Sequence, residues 1–236
     1  MKEFDISQVK YPAIVQPKLN GVGFYLTTDG IFYSPSSHKQ FRFKGPRPPH
    51  GLYGEFYIHG KPLQYIAGLA ALGELSPELQ MHVYEVCNGK DMLGRVAAAA
   101  VIKPPFVPVM YRIVASSREA DEFYKRMLDE GYEGIVYRPV VDPEFPMMKR
   151  KPYRDNEFLC VGVIEGKGRR KGKVGAFVLR TSDGHLFKVG GGSITYEELE
   201  KYYHEPPVNK LITVRYNSLS EKGIPLCPQF VGVREL

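Results

Sequence analysis

Lys18 stands at the end of an apolar run, in "AIVQPKLNG", and is followed by a turn built on Asn20 and Gly21. Three more charged positions occupy similar places at the ends of strand-like segments. They are Glu55 in "YGEFYIHG", Glu133 in "EGIVYRP", and the pair Lys149 and Lys151 in "MMKRKP". Taken singly, each is an ordinary surface charge. Together they supply an amine nucleophile, two carboxylates suited to a hard divalent cation, and two ammonium groups for phosphate oxygens. That is the equipment for nucleotidyl transfer, in which an amine attacks an α-phosphorus. The attacking lysine has to be neutral. With an ordinary pKa near 10.4, only about one molecule in a thousand is deprotonated near pH 7.5. Burial or neighbouring cations must lower that value by about 2–3 pH units, on the order of 3–4 kcal/mol. A bound Mg²⁺ and the Lys149/Lys151 pair are the expected sources.

These residues need a scaffold of short strands. The segments "AIVQPKL", "GFYLTT", "GIFYSP" and "GLYGEFYIHG" are rich in β-branched and aromatic residues and are broken by Gly, Asp-Gly or Pro. Residues 62–75 read as a helix, 81–88 as a buried strand, 94–103 as a helix and 104–114 as one strand after a proline stop. Residues 116–130 open with Ser116 and carry Glu119 three positions on, the spacing of a capping box. Phe123, Met127 and Leu128 form the apolar stripe of that helix, and Gly131 ends it. "EGIVYRP" and "PMMKRKP" follow as strands. From residue 158 the chain reads as short strands again ("FLCVGVIEG", "VGAFVLRT", "LFKVGG", "LITVRYNSL", "PQFVGVREL"), interrupted by one helix at "TYEELEKYYH". Thr195 and Glu198 give that helix a second capping box. Five short strands with one inserted helix fit a small Greek-key barrel of the OB kind. The expected organisation is therefore α+β. A domain of antiparallel sheets with flanking helices covers residues 1–156, and a small OB-fold β-barrel covers 157–236. The boundary falls near residues 154–158, where a hinge motion is expected.

Composition narrows the function classes. The chain has 236 residues, of which 43% are hydrophobic, and no apolar run long enough for a membrane span. The N-terminal residues carry no secretory h-region. Cys87, Cys160 and Cys227 are odd in number and far apart, and the six histidines show no metal spacing. Neither a disulfide framework nor a zinc site is expected, and a cytoplasmic setting is (a host cytoplasm for a phage-encoded chain). The net charge of +6 favours polyanionic partners. Much of the excess sits in "KRKPYR" at 149–154 and "KGRRKGK" at 167–173. The second run lacks the GxxxxGK[ST] pattern of a phosphate-binding loop. It reads instead as a cationic hairpin loop gripping a nucleic-acid backbone through Lys167, Arg169, Arg170, Lys171 and Lys173.

The ordered series "KLNG", "YGEF", "MHVYEV", "EGIV" and "MMKRKPYRDNE" resembles the nucleotidyltransferase motifs of ATP-dependent DNA ligases, in particular the compact viral and phage type. "HGKPLQYIAGLA", "GKGRRKGKVGAF" and "VRYNSLSEKGIPLCPQFVGVRE" are similar to the same group, so the likeness covers nearly the whole chain. The resemblance implies that residues 1–156 form a nucleotidyltransferase domain. It also implies a monomer that uses ATP and Mg²⁺, with Mn²⁺ as a substitute, to seal nicks in duplex DNA. Lys18 would carry the covalent AMP. Glu55 would contact the ribose or assist the metal, and Glu133 would hold the metal. Tyr84 would stack on adenine, with Gln16 also at the nucleotide. Lys149 and Lys151 would contact the α-phosphate.

Some positions depart from the motifs. Asn20 and Gly23 stand where the lysine motif has an aspartate and an arginine. Pro35 follows Ser34 where an arginine is usual, and Leu226 replaces a C-terminal arginine. His38, Lys39 and Arg42 are the nearby groups placed to compensate at the DNA 5′-phosphate. The related readings are an RNA ligase, a capping-type guanylyltransferase that takes GTP, and a degenerate copy that binds nicks and seals them weakly.

Overall fold

The computed structural model describes residues 1–140, 147–192, 194–220 and 222–234. The chain divides into two compact units, Met1–Lys151 and Pro152–Leu236. The sequence-based boundary lies a little further on, inside the strand Arg154–Glu165. The expected strands "PMMKRKP" and "PQFVGVREL" extend in part onto positions 146, 235 and 236, which lie outside the described residues.

The first unit holds two sheets. Its elements are β1 (Lys2–Glu3), β2 (Ala13–Lys18), β3 (Val22–Leu26), β4 (Ile31–Tyr33), β5 (Gln40–Lys44), β6 (Gly51–Tyr57), α1 (Leu63–Ala70), β7 (Gln80–Cys87), α2 (Met92–Ala100), β8 (Phe106–Pro108), β9 (Arg112–Val114), α3 (Ser117–Asp129), β10 (Gly134–Pro139) and β11 (Met148–Arg150). One sheet has the order β1-β11-β10-β2-β9 and the other β5-β4-β3-β6-β7-β8. The expected single strand over 104–114 is two strands, because β8 pairs with β7 in one sheet and β9 with β2 in the other. Pro108, which has no amide hydrogen to donate, ends the first of them.

Period-two alternation decides which side chains reach the site. In β2, Ala13 and Val15 pack with Ala120, Phe123 and Met127 of α3, while Gln16 and Lys18 take the opposite face. Ile135 and Tyr137 of β10 and Met148 of β11 join the same apolar cluster. Leu128, expected in the α3 stripe, is only half-buried, and Ala120 takes its place. Ser116 caps α3 by accepting from Glu119 N at 3.3 Å, but Glu119 reaches back to Ala115 N at 2.9 Å instead of the cap residue's own amide. The second sheet buries Phe24, Phe32, Phe43 and Phe56 with Ile66 of α1.

The second unit consists of β12 (Arg154–Glu165), β13 (Val174–Arg180), β14 (Leu186–Val189), α4 (Tyr196–His204), β15 (Leu211–Tyr216), β16 (Ser218–Leu219), β17 (Pro225–Leu226) and β18 (Gln229–Val233). Its sheet order is β14-β13-β12-β15-β18, with β16 and β17 paired separately. Both halves of the Thr195/Glu198 capping box are present, and Leu199 of α4 packs into the core beside Phe177 and Phe230. Among the described residues no helix is long and apolar enough to cross a membrane.

Candidate active site

Strand register gathers residues far apart in sequence. Gln16 of β2 lies opposite Val136 of β10, which lies opposite Lys149 of β11. Directly opposed residues share a face, so the three form a row on the side away from α3. Lys18 stands one step along that face, opposite Gly134. A side chain at Gly134 is excluded twice: its φ is +150°, and a Cβ would meet Arg150 O at 2.1 Å. Glu133 sits just before this glycine, and its amide donates to Lys18 O at 3.1 Å.

The charges meet as an ion-pair cluster. Lys18 Nζ donates to Glu133 Oε2 at 2.6 Å and to Leu19 O at 3.3 Å. Lys151 Nζ lies 3.3 Å from Glu133 Oε1, so one carboxylate serves two ammonium groups. Glu55 enters from the second sheet and accepts Gly21 N at 2.6 Å. That approach explains the glycine of "KLNG", because a Cβ on Gly21 would lie 2.1 Å from Phe56 O. Burial pushes the Glu55 carboxyl up to about 7, against the opposing pull of the Lys18 charge and the Gly21 amide; Glu133 adds a smaller upward push.

A pocket opens beside these groups, lined by Gln16, Lys18, Glu55, Tyr84, Val136 and Arg138 among others. Tyr84 reaches it through a β-bulge. Tyr53 pairs with Glu85 but Gly54 pairs with Val83, so Tyr84 is the extra residue. The glycine of "YGEF" is needed opposite this bulge, since a Cβ on Gly54 would meet His82 O at 2.4 Å. The Tyr84 carbonyl accepts Gln16 Nε2 at 3.2 Å, while Gln16 Oε1 is buried without a partner. Burial pushes the Tyr84 phenol up.

Arg138, Glu85 and Arg95 were not singled out from the sequence. Arg138 lies over the Tyr84 ring at 4.9 Å and donates to Glu85 Oε2 at 2.7 Å, and Arg95 pairs with the other Glu85 oxygen. Arg138 and Glu85 are only 4% and 5% exposed, so this ion pair is part of the interior. The available signal was the placement of a charge inside each of the apolar runs "HVYEV" and "GIVYR".

Other expected site residues lie elsewhere. Lys149 shares the face of Gln16, but its ammonium pairs with Glu3 at 2.7 Å and not with Glu133. His38 and Lys39 are exposed in a loop closed by Ser34 N to Lys39 O at 2.9 Å, and Arg42 is exposed on β5. Two of the departures from the motif pattern meet in space, because a Cβ on Gly23 would point at Pro35 Cδ at 3.8 Å. Asn20 is exposed. In the second unit, Lys167, Arg169 and Lys171 are exposed and Arg170 is half-buried. Lys173 is engaged by Glu200 at 2.5 Å. Among the described residues no group of three or more His, Cys, Asp or Glu side chains is placed to hold a metal. Glu55 and Glu133 are the carboxylates at the cluster.

Comparison with known proteins bears on both units. Residues 165–234 match the family described as DNA ligase OB-like domain. The DNA ligase of African swine fever virus is 31% identical over 216 residues, covering 78% of this chain and 51% of the viral protein. The chain thus spans about half the length of the viral relatives it matches. The DNA ligase of Haemophilus influenzae is 23% identical over 234 residues, covering 90% of this chain and 83% of that protein. Among solved structures, one from a structure-function study of Lig E DNA ligases superposes with a TM-score of 0.80 at 20% identity, covering 99% of this chain and 97% of that one. Chlorella virus DNA ligase-adenylate gives 0.51 at 16% identity, covering 100% and 96%. These similarities establish a nucleotidyltransferase fold joined to an OB-like domain.

Proposed function

We propose, for a chain that belongs to the DNA ligase family, that it seals nicks in duplex DNA with ATP through a covalent lysyl-AMP. The observation that carries the proposal is the position of Lys18. Its ammonium is 2.6 Å from Glu133, beside a pocket that presents the Tyr84 ring and the unpartnered Gln16 Oε1.

In the first step the neutral Lys18 amine attacks the α-phosphorus of ATP. The N–P bond forms as the nitrogen gives up a proton, the Pα–O bond to the β-phosphate breaks and pyrophosphate leaves. In the second, a 5′-phosphate oxygen of the nick attacks the same phosphorus and breaks the N–P bond, and the lysine nitrogen leaves by taking up a proton. In the third, the 3′-hydroxyl attacks the activated 5′-phosphate, losing its proton as AMP departs. Lys18 takes up and releases the nucleotidyl group. Lys151, and Lys149 once released from Glu3, neutralise the α-phosphate oxygens. Tyr84 offers a face for the adenine ring, and Gln16 Oε1 an acceptor for a base N–H.

Glu133 and Glu55 suit Mg²⁺, which is commonly held by one or two carboxylates with waters and substrate phosphate making up the rest. When bound there it would offset phosphate charge. The exposed cations Lys167, Arg169 and Lys171 and the half-buried Arg170, with His38, Lys39 and Arg42, are the proposed partners of the DNA backbone.

A nick-sealing assay with the 3′-side strand made of DNA or of RNA tests the substrate class. Joining of the all-DNA duplex supports the proposal. Joining only with RNA at that side, or lysine labelling by GTP and not ATP, turns the reading to an RNA ligase or a guanylyltransferase.

A further inference from the structure

The N-terminal strand places an anion beside Lys149. β1 pairs in parallel with β11, with Lys2 opposite Met148 and Glu3 opposite Lys149. The pairing is fixed by Lys2 N to Met147 O at 2.9 Å and Phe4 N to Lys149 O at 3.0 Å. Phe4 anchors the strand on the α3 side. Its ring stacks on Tyr137 at 4.9 Å, and the Arg150 guanidinium covers it at 4.9 Å. With Phe4 held there, alternation turns Glu3 to the face that carries Lys149, Val136 and Gln16. Met1, two residues back on the same face, lines the pocket of Lys18 and Tyr84. Glu3 Oε1 then lies 2.7 Å from Lys149 Nζ.

We propose that Glu3 is a positioning residue for the nucleotide. It is an internal carboxylate that occupies Lys149 before nucleotide binds and must yield to the incoming phosphate. The inference rests on the reading of Lys149 as an α-phosphate ligand. A carboxylate and a phosphate oxygen compete for the same ammonium donors. A Glu3 that stayed in place would also set a negative charge beside the triphosphate. Glu3 therefore weakens ATP binding. The Glu3 side chain is 47% exposed and that of Lys149 26%, so the pair is partly screened and its effect is modest. Glu3→Gln keeps the shape of the side chain and the strand pairing while removing the charge.

The test is titration of the full chain with a non-hydrolysable ATP analogue, at low and at high salt. The wild type, E3Q, K149Q and the double variant are compared. E3Q is expected to bind about threefold more tightly than wild type, the scale set by a partly exposed ion pair, and the difference is expected to shrink at high salt. In the K149Q background the same change is expected to gain less, because the ammonium it competes for is gone. Unchanged or weaker binding by E3Q overturns the inference. So does an equal gain in both backgrounds, which would assign Glu3 to the general field of the site. Failure of the wild type to bind the analogue at all overturns the proposed function first, and this inference with it.

Discussion

Lys18 and Glu133 are 115 positions apart in sequence and 2.6 Å apart through Nζ and Oε2. The pairing of β2 with β10 brings them together, and it places Gly134 directly opposite Lys18 so that no side chain intervenes. Glu133→Gln keeps the side chain's shape but leaves Lys18 and Lys151 facing a neutral amide. Formation of the lysyl-AMP is expected to fall by about 100-fold, because the carboxylate that would hold a divalent cation, worth several kcal/mol of charge stabilisation at the phosphate, is gone. Single-turnover labelling measures it, and a loss below about threefold would remove Glu133 from the site.

Glu55 gives the protein a pH dependence. Its carboxyl is raised from 4.5 to about 7 by burial. Between those values the folded protein holds a proton that the unfolded chain has lost. The stability it contributes is therefore complete below about pH 4.5 and is lost as the pH rises through about 7. Glu55→Gln cannot lose that proton. Its melting temperature is expected to gain on wild type as the pH rises from 4.5 through about 7, and parallel curves would contradict the assignment.

Two glycines that follow Lys18, one in the turn and one in β3, predict opposite outcomes. A Cβ on Gly21 would lie 2.1 Å from the Phe56 carbonyl, while one on Gly23 would find its nearest neighbour, Pro35, at 3.8 Å. Gly21→Ala is expected to cost about 1–3 kcal/mol, as over-packing does, and to disturb the amide that holds Glu55. Gly23→Ala is expected to change stability by no more than about 0.5 kcal/mol either way. Urea denaturation of the two variants separates these cases.

The cationic loop of the second unit predicts a split between its residues. Replacing Lys167, Arg169, Arg170 and Lys171 with glutamine is expected to weaken binding to nicked duplex DNA. The slope of log affinity against log salt should fall by about one for each phosphate no longer neutralised, while Lys18 labelling stays intact. Lys173 is held by Glu200 at 2.5 Å and is expected to contribute less than its neighbours. Equal loss of labelling in the loop variant would assign the loop to the ATP site.

The sequence exposed the site wherever a residue's neighbours constrained it locally. Lys18 and Glu133 each stand at a strand end close to a glycine, Gly21 and Gly134, and both glycines prove sterically obligatory. The helices were legible where a cap marked them, as at Thr195 and Glu198. What depended on distant pairing was hidden. The bulge that presents Tyr84 arises from a register shift between β6 and β7 that neither strand's own residues announce. The Glu3 partner of Lys149 was hidden too, because that pairing requires the parallel alignment of β1 with β11. Arg138 and Glu85 passed unmarked inside their strand readings, because the partners that let these charges be buried, each other and Arg95, come from other elements of the chain.

The central claim is that Lys18 carries the adenylyl group. Incubation of the full chain with Mg²⁺ and ATP labelled at the α-phosphate, followed by denaturing electrophoresis, tests it most directly. The wild type is predicted to retain a covalent label that is discharged by nicked duplex DNA, and Lys18→Ala is predicted to retain none. A wild type without label, or a Lys18→Ala variant that still carries it, would contradict the account.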